Sequence, residues 1–346
     1  MGTTEKTVLF SDISKRTFRM SWIRSRILIL GTGTLASDLC RALQANRQGL
    51  DDIVGFVDRD SDMVGKLIAG FIVLGTFDQL FEIVEEHRAD VIAVCLEDRR
   101  AQLPVQALLD FKAMGIGVVD GHSLYEEKSG RLSIDLLRPS ALIFSTGFRR
   151  RFMTMALKRV IDVTIALLGL LLLAPFMVCI GVLIKLDSPG PMIYRQLRVG
   201  LRGHPYMIWK FRSMARDAEK SGPRWAEVAD PRISRIGKWI RKARIDELPQ
   251  VVNVIYGEMS LVGPRPERPV FVQQLREGIP FYDLRHSVRP GITGWAQTRF
   301  RYGASAEDSH MKLQYDLYYV KNMSLLLDLR IFMETVRVVL CGEGAR

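Results

Sequence analysis

The stretch Ile27-Leu28-Ile29-Leu30-Gly31-Thr32-Gly33-Thr34-Leu35-Ala36 decides how the first part of this chain folds. Four consecutive apolar residues read as a strand buried on both faces. Two glycines then permit a tight turn, and Leu35, Leu39, Ala42 and Leu43 follow at helical spacing. The alternation continues downstream. Strand patterns run from Ile53 to Val57, Phe71 to Leu74, Val91 to Cys95 and Gly117 to Val119, and helical patterns cover 78–87 and 104–114. Alternating strand and helix with short turns predicts an α/β, Rossmann-like domain with a parallel sheet over 24–146, after a loose tail at 1–23.

The glycine turn fits G-x-G-x-x-A between a strand and a helix. Gly31 and Gly33 would let a phosphate approach the helix N-terminus, and Asp58, at the end of the second strand, stands where an acidic residue meets a ribose. That reading is a nucleotide or dinucleotide site. The alternative is a scaffold whose glycines serve only the turn, because this motif alone is weak. A nicotinamide-dependent dehydrogenase or epimerase would add Tyr-x-x-x-Lys. The nearest match, Tyr125-Glu126-Glu127-Lys128, has its lysine one place early.

At 346 residues, nearly half of them apolar, the chain has room for two domains and a membrane element. Its net charge is +11, and the excess is concentrated: Lys185 to Ile245 holds 15 Lys/Arg against 5 Asp/Glu. Such a block suits nucleic acid, anionic lipid or a phosphorylated substrate. Trp209, Phe211, Trp225 and Trp239 are interleaved with it, which favours an interfacial or substrate-binding surface. No zinc finger, RNA-recognition signature or leucine zipper supports nucleic acid. Cys40, Cys95, Cys179 and Cys341 are too scattered for a metal site or a disulfide framework, in keeping with a cytoplasmic setting. The first 25 residues lack the apolar core of a secretory signal.

Residues 147–190 read as a basic linker and a membrane helix. Arg149, Arg150, Arg151, Lys158 and Arg159 lead into the apolar run from Val160 to Ile184, which is long enough for a bilayer core. Pro175 lies near the middle of the run, where it removes a backbone hydrogen bond. Lys185, Arg195 and Arg198 make the far flank basic as well, which favours both ends on the cytoplasmic face. A helix that breaks at Pro175 and returns to the same face satisfies both features. A kinked spanning helix and a fully buried core helix are the alternatives.

Residues 191–346 carry the motif richest in chemistry, Arg244-Ile245-Asp246-Glu247-Leu248-Pro249-Gln250. Asp246 reads as the N-cap of a helix from Glu247 to about Tyr256, with Pro249 in the first turn and Gly257 at the end. A carboxylate there can attack phosphorus once cations neutralise the phosphate oxygens, and Glu247 could hold a divalent metal. Asp246 could equally do no more than cap the helix. Lys210 and Arg212 alternate along a strand, and Arg265 and Arg289 sit in proline-framed loops that limit the entropy lost on gripping a phosphate. Amphipathic helices are expected over Ile233 to Ala243 and Ser324 to Leu340.

Four motifs together carry a resemblance: Lys210-Phe211-Arg212-Ser213-Met214, Asp246-Glu247-Leu248-Pro249-Gln250, Gly263-Pro264-Arg265-Pro266 and Arg289-Pro290-Gly291-Ile292-Thr293-Gly294-Trp295. In this order, from about Lys158 to the C-terminus, the chain resembles the bacterial sugar transferases, which are polyprenyl-phosphate glycosyl-1-phosphate transferases. The N-terminal half resembles the Rossmann-like domain of their larger, exopolysaccharide-branch members. The resemblance implies a monotopic enzyme of the bacterial inner membrane with a re-entrant helix and a mostly helical catalytic domain on the cytoplasmic face. Its partners would be a nucleotide diphosphate sugar, polyprenyl phosphate and membrane lipid, with no nucleic acid; a homo-oligomer is left open. By that analogy Asp246 is the nucleophile, Glu247 serves Mg2+, and Arg241, Arg265 and Lys210 bind phosphate. The chain departs from the family in having Ala174-Pro175 where Ser-Pro is frequent, and no membrane-spanning pattern before residue 160, which larger members commonly have. A sugar-nucleotide epimerase or dehydratase, read from the glycine turn, and a non-catalytic membrane scaffold are the rival readings.

Overall fold

The computed structural model describes residues 25–45, 51–96, 103–135, 139–145, 147–148, 151–215, 218, 222, 230–300 and 305–341. The expected tail at 1–23, Arg149, Arg150 and Trp225 lie outside them. The chain divides into two compact units, 1–136 and 137–346.

The first unit is a doubly wound sheet. Its strands are β1 (Arg26–Leu30), β2 (Asp52–Asp58), β3 (Leu67–Ile68), β4 (Phe71–Thr76), β5 (Val91–Val94) and β6 (Gly117–Asp120), in the order β3-β4-β2-β1-β5-β6. All pairings are parallel except the β3–β4 hairpin at the edge. The helices α1 (Thr34–Ala45), α2 (Leu80–Glu86), α3 (Val105–Ala113) and α4 (Gly121–Ser129) cover both faces. One core packs Leu35, Leu39 and Leu43 of α1 and Leu124 and Tyr125 of α4 against Ile27, Ile29 and Phe56. The other packs Leu80 and Val84 of α2 and Leu108 and Phe111 of α3 against Leu28, Leu30 and Ile92. The continuous apolar run of β1 follows from this, since its residues alternate between two buried faces.

At the end of β1, Gly31 takes φ +104°, and a Cβ there would come within 3.1 Å of the Cys95 carbonyl oxygen. Asp58 reaches this turn: its Oδ2 accepts from Thr32 Oγ1 at 2.6 Å, and its Oδ1 accepts from the Asp60 amide at 3.0 Å. Gly33 accepts from the Ser37 amide in the first turn of α1. Tyr125 is buried in the core, and Lys128 pairs with Asp51.

The second unit begins with α5 (Pro139–Phe144) and the 36-residue helix α6 (Phe152–Asp187). It continues with the hairpin β7 (Ile193–Val199) and β8 (Pro205–Phe211), then α7 (Arg235–Lys242), α8 (Gln250–Tyr256), β9 (Ser260–Val262), α9 (Pro269–Gly278), β10 (Gly291–Thr293), α10 (Trp295–Arg299), α11 (Ala306–Asn322) and α12 (Leu325–Cys341). Helix α6 starts earlier than the apolar pattern suggests, so Lys158 and Arg159 belong to it rather than to a linker. By length and composition it could cross a membrane. It rises roughly 54 Å, against about 30 Å for a bilayer core. Pro175 lies inside this helix, where it can bend the axis without ending the helix.

Both ends of α6 are tied to the body of the unit while its middle is exposed. On the N-terminal side Ala166 packs with Tyr206, Ile208 and Val254. Lys158 Nζ donates to the Val262 carbonyl at 3.3 Å, and Asp162 accepts from Ser260 Oγ at 2.7 Å. On the C-terminal side Ile180 and Ile184 pack with Phe211 and Ile240. Between them Leu167, Leu168, Leu171, Leu172, Phe176 and Val178 are exposed.

Candidate active site

The site forms where the end of β8, the last turn of α7 and the segment leading into α8 meet. Arg244, at φ +55°, reverses the chain after α7. A 3₁₀ turn, Ile245–Glu247, follows, and α8 begins only at Gln250, with Pro249 in the cap position and Gly257 ending the helix at φ +86°. Asp246 therefore lies inside the turn and is not the helix cap; the left-handed Arg244 takes the cap position two residues earlier than expected. Asn253 docks α8 onto the strand: its Oδ1 accepts from the Trp209 amide at 3.0 Å, and its Nδ2 donates to the Met207 carbonyl at 2.8 Å. This buried amide fixes Lys210 beside the turn. In the sequence it reads as one more polar helix residue.

Glu247 is the centre of the charge network. Its Oε1 accepts from Lys210 Nζ at 3.1 Å and from Arg265 Nη2 at 2.6 Å. Burial opposes its charge, but Arg265 and Lys210, with the Arg265 hydrogen bond and Arg244, hold its carboxyl well below the usual range. Asp246 is half-buried and makes no hydrogen bond or ion pair among the described residues. Burial first and the adjacent Glu247 second push its carboxyl upward, while Lys210, Arg241 and Arg265 pull it back. The result is one carboxylate held fast by cations beside a second that makes no hydrogen bond or ion pair among the described residues. Arg241 reaches this neighbourhood from the last turn of α7.

Arg265 comes from the loop after β9, and that loop is tightly fitted. Gly263 N donates to the Thr293 carbonyl at 2.9 Å, and Gly291 N donates to the Pro264 carbonyl at 3.0 Å. A Cβ on Gly263 would collide with the Arg289 carbonyl oxygen. The two proline-framed motifs thus pack backbone against backbone, which explains their glycines.

Two expected phosphate ligands stand elsewhere. Arg212 is buried just past β8 and donates to the carbonyls of Ile184, Ser188 and Pro189, closing the C-terminal end of α6. Its donors go to carbonyls at a helix end, where intrahelical partners run out. Arg289 donates from Nε to the Gly257 carbonyl at 2.8 Å, at the opposite end of α8 from Asp246.

Among the described residues no three His, Cys, Asp or Glu side chains cluster as a metal cage. Magnesium commonly binds through one or two carboxylates plus substrate phosphate oxygens, so a free Asp246 beside Glu247 fits that mode.

Residues 153–342, more than half of the chain, match the family model for the bacterial sugar transferases. The chain belongs to that family. It is 50% identical over 190 residues to a UDP-N-acetylgalactosamine-undecaprenyl-phosphate N-acetylgalactosaminephosphotransferase of Aeromonas hydrophila, covering 55% of this chain and 45% of that protein. It is 34% identical over 334 residues to an undecaprenyl-phosphate glucose phosphotransferase of Komagataeibacter xylinus, covering 92% and 60%. A putative undecaprenyl-phosphate N-acetylgalactosaminyl 1-phosphate transferase of Bacillus subtilis is 48% identical over 153 residues, covering 44% and 82%. The chain spans about half the length of the first two relatives.

Proposed function

We propose that this protein transfers a sugar-1-phosphate from a nucleotide diphosphate sugar, a UDP-hexose, to polyprenyl phosphate, and so makes the first lipid-linked unit of a surface glycan. The observation that carries the reading is the pairing of a free Asp246 with a Glu247 clamped by Lys210 and Arg265. An Asp246 oxygen attacks the phosphorus that bears the sugar, and the bond to the nucleoside monophosphate breaks. An oxygen of polyprenyl phosphate then attacks the same phosphorus and releases Asp246. Lys210, Arg241 and Arg265 neutralise the phosphate oxygens in both steps. Magnesium, held by Glu247 and the substrate phosphates, would add charge neutralisation at the diphosphate.

The catalytic unit sits on the cytoplasmic face of the bacterial inner membrane, with α6 entering and returning. Two features support that placement: both ends of α6 are anchored in one body, and its exposed apolar middle contains Pro175. The polar anchors on each side, Lys158 and Asp162 before the apolar stretch and Ile184 to Pro189 after it, could not both reach one cytoplasmic body from opposite faces of a bilayer. The relatives' names differ in their sugar, so a panel of UDP-sugars with purified protein, polyprenyl phosphate and magnesium is the deciding experiment. Sustained release of UMP that requires both the lipid phosphate and Asp246 is expected, with at most one UMP per protein released when the lipid phosphate is left out. A protein that binds UDP-sugar but releases no UMP with any of them would overturn the reading.

A further inference from the structure

A cavity of about 210 Å³ opens at the C-terminal end of α8, lined in part by Lys158, Arg159, Asp162, Arg202, Ser260 and Arg289. Neither Lys210, Glu247 nor Arg265 lines it. Along the helix, Gly257 lies on the order of 15 Å beyond Asp246, so an occupant of the cavity is out of reach of that carboxylate.

The cations at this cavity are unevenly satisfied. Lys158 is neutralised, with its Nζ 2.7 Å from Asp328 and 3.7 Å from Asp162. Arg159 donates from Nη1 and Nη2 to the carbonyls of Val254 and Ile255 at 2.6 and 2.9 Å. Arg289 commits only Nε, to the Gly257 carbonyl, which leaves both Nη groups without an acceptor among the described residues. Arg202, in the turn between β7 and β8, makes no hydrogen bond or ion pair among the described residues. Two guanidinium groups with uncommitted donors at one cavity match the oxygens of a phosphate.

The rest of the lining names the kind of phosphate. Met155, Leu201 and Met323 contribute apolar surface. Phe152 and Met153, three and two residues before Met155 on α6, are exposed, and the apolar run of the same helix begins at Val160. A phosphate-sized charge bordered by exposed apolar side chains at the foot of a membrane helix suits an amphiphile rather than a free ion. We propose that this cavity holds the phosphate group of a membrane lipid, gripped by Arg202 and Arg289, as a site separate from the one at Asp246. The proposal rests on α6 entering the membrane and is independent of the chemistry assigned to Asp246. The bound lipid does not react; it ties one end of α8 to the headgroup layer while Asp246 works at the other.

The test uses the full chain in a neutral detergent, titrated calorimetrically with dihexanoyl phosphatidic acid and, separately, with inorganic phosphate. Saturable binding of the phosphatidic acid is expected, with inorganic phosphate at least about tenfold weaker. Arg202→Gln and Arg289→Gln should each weaken the lipid about tenfold, and Arg265→Gln should leave it unchanged. Arg202 is exposed and has no internal partner, so its variant keeps the fold and decides the question even if Arg289→Gln unfolds. Equal affinity for inorganic phosphate overturns the assignment to a lipid. No binding, or binding lost in Arg265→Gln but kept in Arg202→Gln, overturns the site.

Discussion

Arg285 Nη2 donates to two acceptors at once, the Asp316 carboxylate at 2.7 Å and the backbone carbonyl of Arg265 at 2.9 Å. Its Nη1 donates to the Tyr282 hydroxyl at 2.6 Å, and both members of the ion pair are buried. The loop that aims Arg265 at Glu247 is therefore held from behind by a charge pair in the core. Arg285→Met should strand the Asp316 charge and cost about 3–5 kcal/mol, read as a lower thermal midpoint. Adding Asp316→Leu should recover most of that loss, because removing both charges leaves neither unpaired. The double variant still lacks the donor to Arg265, so its kcat/KM should stay low. Full activity in a stable double variant would mean that Arg265 needs no support from Arg285.

Asp246→Asn should lower turnover on the order of 10³-fold or more with the thermal midpoint unchanged. The side chain has no partner to lose among the described residues, so the substitution removes only the nucleophile. Nucleoside monophosphate release and thermal unfolding measure the two halves of this expectation. Comparable turnover in the variant rules out the covalent step.

The acid limb of the rate profile should be displaced. Burial and the neighbouring Glu247 raise the Asp246 carboxyl, so a nucleophile that must be ionised is gained at a higher pH than for an unperturbed aspartate. The profile of kcat/KM reports the free enzyme and should rise with pH across that limb. Arg241 pulls the Asp246 value down, so Arg241→Gln should move the limb to higher pH. A limb that stays in place detaches Arg241 from the reacting carboxylate.

The strands of the first unit were legible because burial on both faces leaves unbroken apolar runs such as Ile27 to Leu30. The roles of individual arginines were not. Arg212 and Lys210 stand two apart in one motif, yet one closes a helix end and the other meets Glu247. Which acceptor a guanidinium finds depends on elements distant in the chain, here the end of α6. The partners Arg285 and Asp316 are 31 residues apart and leave no local pattern. The 3₁₀ turn at Asp246 is hidden in the sequence because Asp followed by Glu and an early proline also describes an ordinary helix start, and the left-handed Arg244 carries no composition signal.

If α6 returns to the face it entered, cysteines placed at Met153 and Tyr194 in a Cys179→Ser background should both be protected from an impermeant thiol reagent in intact cells. Both positions are exposed in the folded unit, so protection reports the membrane rather than burial. Pro175→Leu restores a backbone donor inside the helix and should favour a straight span. One site then becomes reactive while the other stays protected. Unequal labelling in the parent protein would mean that α6 already spans.

Every side chain assigned to the transfer lies in the second unit, from Lys210 to Arg265. In the first unit, Asp58 is engaged by Thr32 and the Asp60 amide at the glycine turn, and Lys128 is paired with Asp51. These contacts suit a regulatory or structural domain more than a second reaction centre. A fragment of residues 139–346 retains Phe148, which packs against the core cluster that includes Tyr319 and Val320 and donates its amide to the Lys321 carbonyl at 3.0 Å. It should fold, insert into lipid and keep transfer within about twofold of the full chain, the roughly 0.5 kcal/mol within which independent sites usually add. The comparison is UMP release at matched protein and lipid concentrations. A fragment that folds, inserts and binds nucleotide sugar but transfers nothing would assign the first unit a part in catalysis, because no residue of the reacting cluster would be missing from it.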